Sequence, residues 1–237
     1  MNKYFKKPDK KRRHVKLYVS RDDKPKWTVT VFKDVFNRSA KVLDVGCDER
    51  QLKGLMASGV EYTGIDMQGS PDICLDLDLV KKLPFESESF DLVFCTEVLE
   101  HLENFHLIFD ELCRVSRSYV LISLPNALAG ISAYLMEREY SGAKRAQEGY
   151  GRFMKFYGLP VEIPKDRHRW FFNVEEAIEF VRSRSGKNGY EIEEVLHTID
   201  FEKWHSKIGR FLLSGMNRKR MINIFNNTTW FLIKKKD

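Results

Sequence analysis

The stretch VLDVGCDER, residues 42–50, decides how the rest of the chain is read. Val42, Leu43 and Val45 suit a short buried strand, and Gly46 marks a tight turn at its end. QLKGLMASG (51–59) follows with helical spacing and a glycine stop. A strand, a glycine turn and a helix in this order hold a nucleotide-like ligand at the carboxyl end of a parallel strand. Glycine at the turn lets the ligand approach the backbone, because no Cβ is in the way. Asp48 and Arg50 stand where further glycines would be expected. Asp tolerates left-handed backbone, and Asp48 with Gln51 gives a capping-box-like helix start. The turn is therefore expected to survive, with the helix amides facing a carboxylate or phosphate. Asp66 closes YTGIDM (62–67), 20 residues after Gly46, where a carboxylate accepts hydrogen bonds from ribose hydroxyls. Gly46 and Asp66 together indicate an adenosine-containing cofactor. The lack of glycine at 48 and 51 leans away from a dinucleotide, whose pyrophosphate needs a closer double approach.

Outward from this unit, strand and helix patterns alternate. ICLDLD (73–78), FDLVFCTEV (90–98) and YVLISLPN (119–126) read as strands, and HLIFDELCRVSR (106–117) as an amphipathic helix. Near-continuous apolar strands separated by helices indicate an α/β fold with a parallel sheet covered on both faces. Residues 127–170 break the rhythm. They read as a helical cap insertion rich in Tyr and Phe and interrupted by Gly142, Gly149, Gly151 and Gly158. A helix at VEEAIEFVRSR (174–184) and strands at YEIEEVLHTID (190–200) and TTWFLIKKK (228–236) complete the chain. The expected organisation is a basic N-terminal arm and leading helix over 1–38, then one domain over 39–237 with the cap at about 127–170.

The chain has 237 residues and a net charge of +6. Lys3, Lys6, Lys7, Lys10, Lys11, Arg12, Arg13 and Lys16 face a single acid, Asp9, in the first 16 residues. Such an arm suits nucleic acid or an anionic membrane surface, or is a solvated tail without function. No apolar run approaches the roughly 18 residues of a transmembrane segment, and no secretory signal is recognised. Cys47, Cys74, Cys95 and Cys113 have neither zinc-site nor disulfide-framework spacing, so the chain reads as reduced and cytoplasmic, and no metal is expected.

LPFESESFDLVFCTEVLEHL (83–102), taken with VLDVGC, GIDM and ELCRV…LISLPN, resembles the class I S-adenosylmethionine-dependent methyltransferases over roughly residues 40–126. The likeness is to the small-molecule, lipid and glycan branch with LPF…SFDLV…EVLEHL motifs. It implies a Rossmann-like seven-stranded sheet whose last strand is antiparallel, and S-adenosyl-L-methionine as cofactor, with S-adenosyl-L-homocysteine as product. Carried over by motif, Asp44, Val45, Gly46 and Cys47 approach the methionine end of the cofactor. Asp66 holds the ribose, Met67 lies beside the adenine, Asp76 meets its amino group and Leu77 packs on its ring. Thr96 and Glu97 face the reaction centre. Purely structural roles compete: Asp44 bonding loop amides, Asp76 and Asp78 closing turns, and His101 tying its loop to the sheet. Leu99 and Leu102 read as core.

Methyl transfer from a sulfonium is an in-line displacement in which positioning of the nucleophile does much of the work. A hydroxyl acceptor must also lose a proton, for which His101, His168 and Glu97 are the candidates. In KDRHRWFFNVEEA (165–177), Arg167 and Arg169 suit a carboxylate or phosphate and Trp170 an acceptor wall. The expected acceptor is a small molecule, sugar or lipid, methylated on oxygen or nitrogen. Two alternatives stand: an RNA or DNA methyltransferase using the basic arm, and a non-catalytic binding subunit of methyltransferase fold. No NPPY- or DPPY-type motif follows the fourth strand, which argues against an adenine-methylating enzyme.

Overall fold

The computed structural model describes residues 2–5, 17–18, 22–129, 167–198 and 215–236. The rest of the basic arm and nearly all of the expected cap insertion (130–166) lie outside the described residues. Seven strands form one sheet: β1 (Lys41–Val45), β2 (Glu61–Asp66), β3 (Ile73–Cys74), β4 (Phe90–Thr96), β5 (Ser116–Pro125), β6 (Tyr190–His197) and β7 (Thr228–Lys235). Their order is β3-β2-β1-β4-β5-β7-β6. Strands β1 to β5 pair in parallel, and β7 runs antiparallel to both β5 and β6. Five α-helices are described: α1 (Asp23–Val31), α2 (Lys33–Phe36), α3 (Phe105–Val115), α4 (Val174–Lys187) and α5 (Arg218–Phe225).

Successive strand side chains point to opposite faces of a sheet, and the core divides accordingly. Leu43, Val45, Val93, Cys95, Val120, Ile122, Phe231 and Ile233 pack on one face with Ile108, Phe109 and Leu112 of α3 and Ile178 and Val181 of α4. Val42, Leu92, Phe94, Leu121, Trp230 and Leu232 pack on the other with Trp27 and Val31 of α1 and Val35 and Phe36 of α2. Trp230 is fully buried, its ring 5.3 Å from that of Trp27. A full capping box starts α4: Asn173 accepts from the Glu175 and Glu176 amides, and Glu176 accepts from the Asn173 amide. The Tyr190 hydroxyl reaches the Ser116 and Cys113 carbonyls at 2.7 and 3.0 Å, stitching edge strand β6 to the end of α3.

Two local expectations are corrected. The segment 51–59 does not form an α-helix; a 3-10 turn at Lys53–Leu55 replaces it. Asp48 and Arg50 both take left-handed backbone, at φ +46° and +53°, so the chain turns repeatedly where a helix would start. Gly54 and Gly59 weaken what remains of the helical segment. The third strand is two residues long, because Asp76 closes a turn in which its side chain accepts from the Asp78 amide at 2.9 Å.

Candidate active site

Strand order reverses between β1 and β4, and the carboxyl ends of those strands flank the crevice where open α/β sheets bind ligands. Asp44 lies near the end of β1 and is 4% exposed. Its Oδ2 accepts a 2.6 Å hydrogen bond from the Tyr62 hydroxyl. Burial pushes its carboxyl up to about 7, against the lowering influence of Tyr62 and Lys24. Among the described residues no cation lies within ion-pair distance of it. A ligand that brings an ammonium or sulfonium would favour its charged form. The arrangement therefore fits the methionine end of the cofactor.

Packing also requires glycine at position 46. Its φ is +78°, and a Cβ placed there would sit 2.1 Å from Val98 Cγ2. The space a side chain would take is filled by the segment after β4, so glycine locks the β1 turn against that segment. The turn is also tied to β2: the Gly46 amide donates to the Ile65 carbonyl at 2.8 Å, and the Asp48 amide to Asp66 Oδ2 at 2.9 Å. Asp66 Oδ1 accepts from the Gln68 amide at 3.1 Å. Each Asp66 oxygen keeps lone-pair capacity for a ribose hydroxyl. Arg50 clamps the neighbouring loop through Asp72, 2.5 Å away, whose other oxygen accepts from the Gly64 amide at 2.8 Å. Burial works against it, but the Gly64 amide and Arg50 hold the Asp72 carboxyl below its ordinary range. The two departures from glycine thus build a closed turn.

Around this turn, Val45 and Cys47 are buried, and burial followed by Asp44 and Asp66 pushes the Cys47 thiol up to about 12. Met67 is 63% exposed beside Asp66, while Leu77 is buried. Asp76 spends one oxygen on its own turn. Asp78 accepts from the Asn104 amide at 3.3 Å.

After β4, Thr96 is half-buried and Glu97 takes left-handed backbone at φ +55°. Its Oε2 lies 3.0 Å from Lys24 Nζ, which α1 delivers from its first turn. Leu99 and Leu102 are core, as expected. Leu99–His101 form a 3-10 turn. Glu100 is fully buried and neither of its carboxylate oxygens receives a hydrogen bond. Burial pushes its carboxyl up to about 7, with His101 lowering it and Glu97 raising it. His101 Nε2 stands 3.8 Å from Glu100 Oε1.

The distant segment 167–170 docks on this turn. The Arg169 amide donates to the Glu100 carbonyl at 2.9 Å, Arg169 Nε to the His101 carbonyl at 2.7 Å, and Trp170 Nε1 to the Leu102 carbonyl at 2.6 Å. Arg169 also pairs with Glu103. The docking sets the His101 and His168 rings 4.5 Å apart, edge to face. Arg167 is exposed at the rim, and Trp170 is half-buried against Phe105. Asn126, after β5, spends its amide on the carbonyls of Asn223 and Asn226 at 2.6 and 2.9 Å.

Sequence reasoning missed Lys24, Tyr62 and Glu100. Lys24 and Tyr62 belong to no motif, and only packing carries them to the crevice. Glu100 did have a signal, standing beside His101 inside EVLEHL.

Residues 43–122 match a family model described as a methyltransferase domain. No curated protein matches the chain. Among solved structures, it is similar to a SAM dependent methyltransferase from Archaeoglobus fulgidus, at 17% identity over 91% of this chain and 94% of that one, with a TM-score of 0.54. The methyltransferase domain of bacterial CtHen1-C is similar at 17% identity over 91% and 98% of the two chains, also with a TM-score of 0.54. These likenesses are of fold. The domain match spans β1 to β5, where Asp44, Asp66 and Glu97 stand.

Proposed function

We propose that this enzyme transfers the methyl group of S-adenosylmethionine to an oxygen or nitrogen of a small-molecule, sugar or lipid acceptor seated beyond the carboxyl end of β4. The observation that supports this most is the docking of 167–170 on the turn at 99–102, which sets the His101 and His168 rings edge to face, a few residues beyond the end of β4. The bound cofactor supplies an activated methyl group. Asp44 and the 45–47 turn hold its methionine end, Asp66 its ribose, and Met67, Asp76 and Leu77 its adenine. Thr96 and Glu97 border the reacting atoms. Lys24 fixes Glu97, which makes the imidazoles the better proton acceptors for a hydroxyl nucleophile. Arg169 is occupied in docking its own segment; the exposed Arg167 would meet an acidic acceptor group, with Trp170 as a wall.

The test is methyl transfer from labelled S-adenosylmethionine to panels of sugars, carboxylates, lipids and nucleic acids, by full-length protein and by a variant lacking residues 1–16. Turnover of a small acceptor, unchanged by the deletion, is the expected result. Turnover confined to RNA or DNA and lost with the arm would overturn the acceptor assignment. Cofactor binding without turnover of any panel would favour the binding-subunit alternative.

A further inference from the structure

We infer that Glu100, His101 and His168 form a binding site for one divalent transition-metal cation. The first observation is Glu100 itself, a fully buried carboxylate whose two oxygens receive no hydrogen bond. A buried carboxylate is ordinarily hydrogen-bonded, paired with a cation or bound to a metal. Lys24 is committed to Glu97 at 3.0 Å. His101 approaches only one Glu100 oxygen, and 3.8 Å is too long for a hydrogen bond. Among the described residues, Glu100 therefore has a neighbourhood of nitrogen atoms and no adequate partner.

The second observation is the convergence of donors. One ligand atom each from Glu100, His101 and His168 lies within 4.8 Å of the others. Bonds of about 2.0–2.2 Å to a shared ion bring such donors to roughly 3 Å from one another, so small side-chain rotations complete the site. The backbone needs no rearrangement. The Glu100 and His101 carbonyls are already held by Arg169, and the next residue's carbonyl by Trp170. Supporting contacts of this kind orient metal ligands.

The chemistry of the set narrows the ion. Two imidazole nitrogens and one carboxylate suit manganese, cobalt or zinc better than magnesium or calcium, which prefer all-oxygen sites. Three protein ligands leave coordination positions open. Glu97, three residues before Glu100, borders the reaction centre, so an open position would accept the oxygen of a hydroxyl acceptor. This last step rests on the function proposed above. A cation there lowers the pKa of the bound hydroxyl and takes over the deprotonating role otherwise given to the imidazoles, the proton passing to solvent. The oxygen–methyl bond then forms as the carbon–sulfur bond breaks, its electron pair going to sulfur.

The site is tested on chelator-treated full-length protein at pH 7.5. Cobalt(II) is titrated by visible absorption and manganese(II) by calorimetry, against the wild type, Glu100→Gln and His168→Ala. S-adenosylhomocysteine is titrated in parallel on each protein. One equivalent of cation, with ligand-field bands for cobalt and at least tenfold weaker binding in both variants, is the expected result. Wild-type protein that binds no stoichiometric cation, or variants that bind as well as wild type, would overturn the site. Glu100→Gln keeps the shape of the side chain, and thermal melting checks its fold; His168→Ala carries the test should that variant fail to fold. Cofactor binding without cation binding overturns this inference alone. Cation binding without cofactor binding overturns the cofactor assignment and leaves the metal site standing.

Discussion

Removing the Tyr62 hydroxyl should move the pH dependence of cofactor binding. The Asp44 carboxyl, buried and raised to about 7, is the buried acid closest to the expected methionine end. Among the described residues its side chain has one hydrogen bond, from Tyr62 at 2.6 Å, which favours the charged form. A hydrogen bond to a charged group contributes about 1.5–3 kcal/mol, equivalent to about 1–2 pH units. Tyr62→Phe therefore raises the Asp44 pKa by about 1.5 units on that conversion. At pH 7 the ionised fraction falls from about one half to about 3%, so affinity for a cationic ligand end drops about 15-fold; at pH 9 the gap closes to under twofold. The stability sign runs the other way. Because the folded pKa lies above the ordinary value of 3.8, the Asp44 contribution is fully present at low pH and is lost as pH rises through about 7. The assay is calorimetric titration with S-adenosylhomocysteine from pH 6 to 9. Wild-type affinity should rise toward a plateau above pH 7, with the Tyr62→Phe curve displaced to higher pH. Parallel loss at every pH, or superposed curves, would refute Asp44 as the titrating contact.

Gly46→Ala combines left-handed backbone strain, about 1–2 kcal/mol, with overpacking against Val98, about 1–3 kcal/mol. It should lower the urea midpoint, and Gly46→Ala with Val98→Ala should recover only the overpacking part. Asp66→Asn should weaken cofactor binding at least tenfold while the melting temperature changes little, because an amide oxygen still serves one loop N–H; unchanged affinity would remove Asp66 from the site. Lys24→Met leaves the half-buried Glu97 without its cation and should cost about 1 kcal/mol in stability, on the scale of partly exposed ion pairs. It should also slow turnover more than it weakens cofactor binding, which kcat and KM measured separately would reveal.

Much of the fold was legible because its signals are local. Apolar runs at 41–45, 90–96 and 119–125 can be satisfied only by burial on both faces, and Gly46 and Pro125 end the first and the last. The helix misplaced at 51–59 shows the limit of that logic. Its spacing was helical, but left-handed backbone at Asp48 and Arg50, held by Asp66 at the end of β2 and Asp72 in the loop that follows, turned the chain away. Asp44, Gly46, Asp66 and Glu97 stand in recognisable order along the sequence because each lies at or just past a strand end, and His101 follows in the turn after β4. The rest of the site depends on distance through space. Lys24 reaches Glu97 across 73 positions, and Arg169 reaches the His101 carbonyl across 68. Sequence periodicity reports which face of an element is buried, not which other element covers it. The sequence by itself therefore determined a doubly covered, largely parallel sheet with a glycine turn after its first strand. Only the tertiary structure brought His168 beside His101 and left Glu100 buried without a donor, because desolvation and the meeting of distant segments exist only once the chain is packed.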